Sequence, residues 1–233
     1  MAKKTVYIGI DPGFGGAITI LDGKQTLIYD MPTYKVIAKN KKTKQHYDLE
    51  EIISIFKKFI DRDVECGLES VSVMPGEGSV SSFSFGRGIG QLEMGIVFAG
   101  FDLIDVTPQT WKKKYPNLIT PDILAFKDEQ KQIRQKNKEL TLKEIDIKET
   151  NKKSKDKDKK RQNKKIIAAL KKEQKENKSK IEKIGRKVKS AAKDNARKIA
   201  ALLCTEMSDS FNRKKDDGRA ESYLISRFIR EKI

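Results

Sequence analysis

Histidine is nearly missing from this chain, with His46 the only one among 233 residues. A histidine-based zinc centre and a histidine general base are therefore not expected, and His46 itself reads as a solvated loop residue. The two cysteines, Cys66 and Cys204, are too few for a disulfide framework, and neither belongs to a CxxC pair. Both read as core residues of an intracellular protein. Long apolar runs are absent too. No stretch reaches membrane-spanning length and no signal peptide precedes the first strand, so the chain is expected in the cytoplasm, not secreted and with no membrane partner. Aromatic residues are missing from everything between Phe126 and Phe211, so that stretch contributes little to a packed core.

What the chain has in excess is positive charge. Its formal net charge is +17, and residues 127–187 hold 24 Lys and Arg against 11 Asp and Glu, or +13 of that total. Such a balance points to a polyanionic partner. Setting the basic segment aside leaves about 170 residues, enough for one well-buried α/β domain. The expected organisation is a core over residues 1–113, a basic insertion over 114–187, and C-terminal helices of the same core over 188–233.

Residues 5–11 read as a buried, β-branched strand ended by Pro12-Gly13. Strands at 17–21 and 26–30 follow, joined by the hairpin signal Asp22-Gly23. A basic loop over 34–44 leads to Asp48, a good N-cap for a helix over 49–60 with apolar residues at helical spacing. A strand at 66–71, a Gly/Ser-rich loop at 74–82 and a helix through Leu92 and Phe98 come next. The fifth strand, 102–107, is stopped by Pro108, and a short helical turn covers 109–115. Helices at 190–207 and from about 218 to the end close the chain. This order predicts a mixed five-stranded sheet flanked by helices, and it resembles the ribonuclease-H-like fold.

Four acidic residues stand out against this background. Asp11 ends the first strand, Glu69 sits in the apolar strand Cys66-Gly67-Leu68-Glu69, and Asp217 and Glu221 lie four apart at the start of the last helix. Buried carboxylates that meet repel one another unless a cation lies between them. Hard divalent cations such as magnesium and manganese prefer such oxygen ligands. The plainer readings are that Asp11 caps the Pro12-Gly13 turn and that Asp217 and Glu221 compensate a helix dipole. Two metals held by such acids can activate water and stabilise the leaving oxygen of a phosphodiester without a Ser, Cys or His nucleophile.

Ile8-Gly9-Ile10-Asp11-Pro12-Gly13, Leu68-Glu69 before Met74-Pro75-Gly76, Phe85-Gly86-Arg87, Val106-Thr107-Pro108-Gln109-Thr110-Trp111-Lys112-Lys113 and Asp217-Gly218-Arg219-Ala220-Glu221 occur in that order. Together with Lys193-Asp194 and Ala196-Arg197, they resemble the RuvC-type Holliday-junction resolvases, most closely the phage and viral branch. The resemblance implies an endonuclease that binds two Mg2+ ions, replaceable by Mn2+, and acts as a homodimer on four-way or branched DNA, at a nucleoid or a site of viral replication. It implies that Asp11 bridges the metals, that Glu69 ligands one, and that Asp217 with Glu221 completes the set. Many relatives carry Asp where Glu221 stands, and Asp216 competes with Asp217 for its place.

For DNA contact the candidates are Lys112, Lys113 and Lys114 after the fifth strand, with Phe83, Phe85 and Arg87 at the helix entry. Core packing is the plainer reading of the two phenylalanines. Gly86, Gly88 and Gly90 suggest close helix packing rather than a nucleotide loop, since no Walker lysine follows, and no nucleotide cofactor is expected. The insertion reads either as a hairpin of two long helices or as a disordered arm that contacts phosphates. Competing functions are a broader flap or branched-DNA nuclease, a non-catalytic architectural DNA-binding protein, and an actin-like ATPase.

Overall fold

The computed structural model describes residues 5–37, 43–72 and 78–232. By its internal contacts the chain divides into two units, residues 1–118 with 194–233, and residues 119–193.

The first unit is built on five strands in the order β3-β2-β1-β6-β7. β1 (Val6–Asp11), β2 (Ala17–Asp22) and β3 (Gln25–Asp30) form an antiparallel meander. The two-residue turn between β2 and β3 has Gly23 at φ 63°, a left-handed conformation that glycine adopts without strain. On the other side of β1, β6 (Val64–Glu69) and then β7 (Asp102–Val106) add in parallel. A meander running into parallel strands through helical crossovers is the ribonuclease-H-like arrangement.

Alternation along the central strands sorts their side chains to two faces. Val6, Ile8 and Ile10 of β1, with Val64, Cys66 and Leu68 of β6, join one buried cluster that includes Ile52 and Phe56 of α1 (Leu49–Lys57) and Leu92 and Ile96 of α2 (Ser79–Phe98). Asp48 caps α1, its Oδ1 accepting from the Glu51 N–H at 3.2 Å. The helix ends at Lys57, short of Ile60. The opposite face is covered by α6 (Asp217–Arg230), by the C-terminal end of α5 (Lys157–Leu203), and by α3 (Pro108–Lys113) with Tyr115 and Leu118.

Two expectations change. The segment read as a basic loop contains an antiparallel hairpin of β4 (Thr33–Ile37) and β5 (Thr43–Tyr47), with residues 38–42 outside the described residues. Its strands have few large aliphatic residues, so alternation is a weak signal there. His46 consequently sits in a strand, half-buried and stacked on Tyr34 with ring centroids 5.7 Å apart. The helix expected at 190–207 is the end of a 47-residue helix, α5.

The second unit is a hairpin of α4 (Pro121–Lys153) and the earlier part of α5. Its cross-links run antiparallel. Gln130 Nε2 donates to the Ile181 carbonyl at 2.9 Å, Asn177 to Asn137 Oδ1 at 3.0 Å, and Asn163 to Asn151 Oδ1 at 2.7 Å.

Candidate functional site

The parallel register of β1 and β6 pairs Gly9 with Gly67 and Ile10 with Leu68. One step further, Asp11 and Glu69 come side by side where the two strands end. They share a face with Tyr7, Gly9, Glu65 and Gly67, opposite the isoleucine-rich face. That is the face α6 covers, and the strands' C-terminal ends are where α/β sheets open crevices.

α6 approaches this face closely because of glycine. A Cβ on Gly9 would lie 2.3 Å from both the Ser222 carbonyl oxygen and the Ser226 nitrogen, so only a bare backbone fits. A Cβ on Gly218 would fall 2.4 Å from the Gly15 oxygen. A buried hydrogen bond between Thr19 and Ser222, 2.7 Å long, ties the same helix to β2. This contact sets Glu221 against the strand ends. Asp11, Glu69 and Glu221 each bring a carboxylate oxygen within 4.8 Å of the other two.

The three acids differ in environment. Glu69 is 7% exposed and accepts at Oε1 from the Trp111 indole N–H at 2.8 Å. Burial pushes its carboxyl above the usual range, the Trp111 hydrogen bond opposes that, and the neighbouring Glu221 charge adds to it. Glu221 forms an ion pair with Lys112 Nζ at 3.4 Å, and that ammonium also lies over the Trp111 ring, 4.8 Å from its centroid. Asp11 Oδ1 accepts from the Gly13 N–H at 3.2 Å, so it caps its turn while lying in the cluster. The Tyr47 hydroxyl braces the same turn through the Pro12 carbonyl.

Asp217 is the first residue of α6, half-buried, and is not part of the three-carboxylate group. Asp216 is 2% exposed and engaged elsewhere. It accepts from the Arg213 backbone at 2.8 Å and side chain at 2.9 Å, and lies 3.9 Å from Arg219. That places Asp216 in a structural ion cluster that starts the helix.

Among the DNA-contact candidates, Phe83 is 72% exposed, which rules out core packing for it, while Phe85 is half-buried. Arg87 is exposed and lies 3.2 Å from His46 Nδ1. Lys113 is exposed, and Lys114 pairs with Glu231 at 3.5 Å. Of the loop before them, residues 74–77 lie outside the described residues. Gly88 packs on the Tyr47 ring, but Gly86 and Gly90 face open space.

The sequence pattern assigned no role to Trp111. Its signal was available: a lone tryptophan one turn into a short helix that Thr107 caps and Pro108 opens, directly after β7. The position of Lys112 beside Glu221 was not legible, because it depends on α3 packing next to α6.

Three oxygen donors from carboxylates, one buried and above its usual range, fit a hard divalent cation better than any softer metal. Fold and site together define a ribonuclease-H-like α/β domain with an acidic cluster at its strand ends. No protein-family model and no curated protein matches the sequence. Among solved structures the chain is similar to T. thermophilus RuvC in complex with a Holliday junction substrate. That match has a TM-score of 0.32 and 10% identity, and covers 47% of this chain and 69% of that one. No helix among the described residues is long and apolar enough to cross a membrane.

Proposed function

We propose that the chain is a divalent-metal-dependent, structure-selective endonuclease of the RuvC type, resolving Holliday junctions and related branched DNA by paired phosphodiester hydrolysis. The observation that carries this reading is the convergence of Asp11, Glu69 and Glu221 within 4.8 Å, on a face opened to α6 by Gly9. In this reading Asp11, Glu69 and Glu221 would hold Mg2+, two ions per site, with Mn2+ as a substitute. Asp217, one helical turn before Glu221, completes the set. Bound there, the metals supply charge neutralisation and an activated water for in-line displacement.

The chain's own groups prepare that chemistry. Trp111 fixes the orientation of Glu69, and Lys112 tempers the repulsion among the acids until metal arrives. Lys112, Lys113, Lys114 and Arg87 would contact phosphates, while Phe83 and Phe85 would stack on bases opened at the branch point. The protein works as a homodimer. Gly86, Gly90, Met94 and Val97 recur at helical spacing on α2, and Met94 and Val97 are 68% and 58% exposed. A phage or viral source and a cytoplasmic place of action complete the reading.

A synthetic four-way junction incubated with and without Mg2+ tests it. Wild-type protein cuts symmetrically only with the metal. Asp11→Asn and Glu69→Gln each slow cutting on the order of 10³-fold, as loss of charge stabilisation in a dry site does, yet bind the junction at least as well as wild type. Cutting at the wild-type rate by either variant sinks the site assignment. Binding without cutting under any divalent ion leaves an architectural DNA-binding protein instead.

A further inference from the structure

The charge of the 119–193 hairpin is not spread along it. The unit holds 26 Lys and Arg against 12 Asp and Glu, so it carries +14 of the chain's +17. Residues 152–165, at its turn, hold nine cations against Asp156 and Asp158, which is half of that excess in 14 of 75 residues. All nine are exposed. None has an ion-pair partner among the described residues, whereas Lys136, Lys148 and Lys171 farther along pair with Glu173 or Glu144.

The turn is also well organised. Asp156 Oδ1 accepts from the Asp158 and Lys159 N–H groups at 2.9 and 3.1 Å, and Ser154 Oγ accepts from the Asp156 N–H at 3.1 Å. One of the two acids there is thus occupied in starting α5. Along α5, Lys157, Lys160, Arg161, Lys164 and Lys165 follow at the spacing that brings side chains to one helix face. In an ordinary amphipathic helix that spacing marks a buried apolar stripe; here it holds only cations. Like charges three and four apart destabilise a helix. A polyanion laid along the stripe would relieve that repulsion and release counterions.

We propose that this turn, residues 152–165, is a docking site for the phosphate backbone of duplex DNA, engaged without regard to sequence. The partner assignment rests on the reading of the chain as a DNA-acting protein, but the site does not depend on catalysis. Phosphate is matched by several exposed, unpaired cations on one helix face.

The test uses the full chain in EDTA, so that nothing is cut, and follows binding to a labelled linear duplex by fluorescence anisotropy across a series of KCl concentrations. The variant Lys157→Gln/Lys160→Gln/Arg161→Gln/Lys164→Gln should weaken binding roughly tenfold or more and flatten the slope of log K against log salt by up to about 0.9 for each phosphate no longer neutralised. A control, Lys131→Gln/Lys138→Gln/Lys178→Gln/Lys180→Gln, removes the same charge from exposed positions elsewhere in the hairpin and should change the slope far less. Circular dichroism checks that both variants keep their helix. An unchanged slope in the first variant, or an equal loss in the control, overturns the proposal. So does a loss of binding to phosphatidylserine vesicles with DNA affinity intact. Junction cleavage with Mg2+ is read separately: no cutting by wild type, together with a flattened slope, refutes the nuclease reading and supports the docking site.

Discussion

In the α/β unit, Ile8, Ile10, Ile18 and Ile20 are fully buried on one side of the sheet, and Leu224 and Ile225 on the other. In the hairpin the buried apolar residues are fewer, Ile123, Leu140 and Ile184, and polar groups bond across between them: Gln130 with the Ile181 carbonyl, Gln174 with Thr141, Asn177 with Asn137. Neither hydrophobic cluster includes a residue of 119–193. Charge divides the same way, with 24 basic and 21 acidic residues in the α/β unit against 26 and 12 in the hairpin. Burial of apolar area is the larger stabilising term, while an exchanged hydrogen bond nets about 1 kcal/mol. A scaffold that must hold three carboxylates within a few ångströms is built from the first kind of contact. The hairpin, with fewer buried apolar residues, adds contacts of the second kind.

The sharpest break of this comparison is a cavity in each region. Ile8→Ala in the sheet should cost about 2–5 kcal/mol, whereas Leu140→Ala in the hairpin, where no residue joins either large hydrophobic cluster, should cost less than about 2. Trp111 is the only tryptophan and belongs to the α/β unit, so its fluorescence reports that unit, while far-UV circular dichroism is dominated by the long helices. In urea the two probes should give separate transitions for wild type. Coincident transitions, shifted equally by both substitutions, would show one cooperative body.

A buried hydrogen bond can then be compared in the two settings. Trp111→Phe keeps the ring packing and removes the N–H from Glu69, a loss worth about 10- to 100-fold in metal affinity or activity when the partner orients a ligand. The Glu69 carboxyl, already raised by burial, rises further without that donor. The acidic limb of a pH–rate profile for junction cutting should therefore move to higher pH. A profile of unchanged shape would make Trp111 a packing residue only. In the hairpin, Asn177→Ala leaves Asn137 without its donor and should cost about 1–3 kcal/mol. The double change Asn137→Leu with Asn177→Leu should be neutral or stabilising, because an apolar pair of similar size replaces the polar one. If the double variant is the least stable of the three, the hairpin depends on its polar ladder for more than register.

The same contrast explains what could be read from the chain. The five sheet strands and their order were legible because β1, β2 and β6 alternate or run apolar and are cut by Pro12-Gly13 and Asp22-Gly23. Asp11 and Glu69 stood out as charges in such strands, and Glu221 by its place in the final helix. The β4–β5 hairpin was not legible, because Thr43-Lys44-Gln45-His46-Tyr47 has no apolar alternation and takes its order from Tyr47 packing on Gly88 and Phe14. The length of α5 was hidden by Lys and Asp around residue 157, a composition shared by solvated helices and disordered linkers. Partners set by packing between elements far apart in sequence, Trp111 on Glu69 and Lys112 on Glu221, leave no local pattern at all.

The smallest expected effect compares one surface ion pair from each region. In the α/β unit Arg219 grips Asp30 through Nε at 2.5 Å and Nη2 at 2.6 Å. The Arg219 hydrogen bonds hold the Asp30 carboxyl below its usual range, against a smaller opposing effect of burial. A folded-state pKa below the unfolded one contributes stability above the unfolded value, and that contribution is lost as pH falls through the folded value. Asp30 is 68% exposed, so solvent screening keeps its share under about 1 kcal/mol. Asp30→Asn should therefore lower stability slightly at neutral pH, with the gap closing in acid and shrinking with salt. Glu173→Gln, which frees Lys136 from its 2.8 Å pair in the hairpin, should do less, since a single ammonium lacks the two-pronged grip of a guanidinium. Denaturation midpoints at neutral and acid pH decide it. A gap for Asp30→Asn that widens in acid would mean that Asp30 is strained rather than stabilised by Arg219.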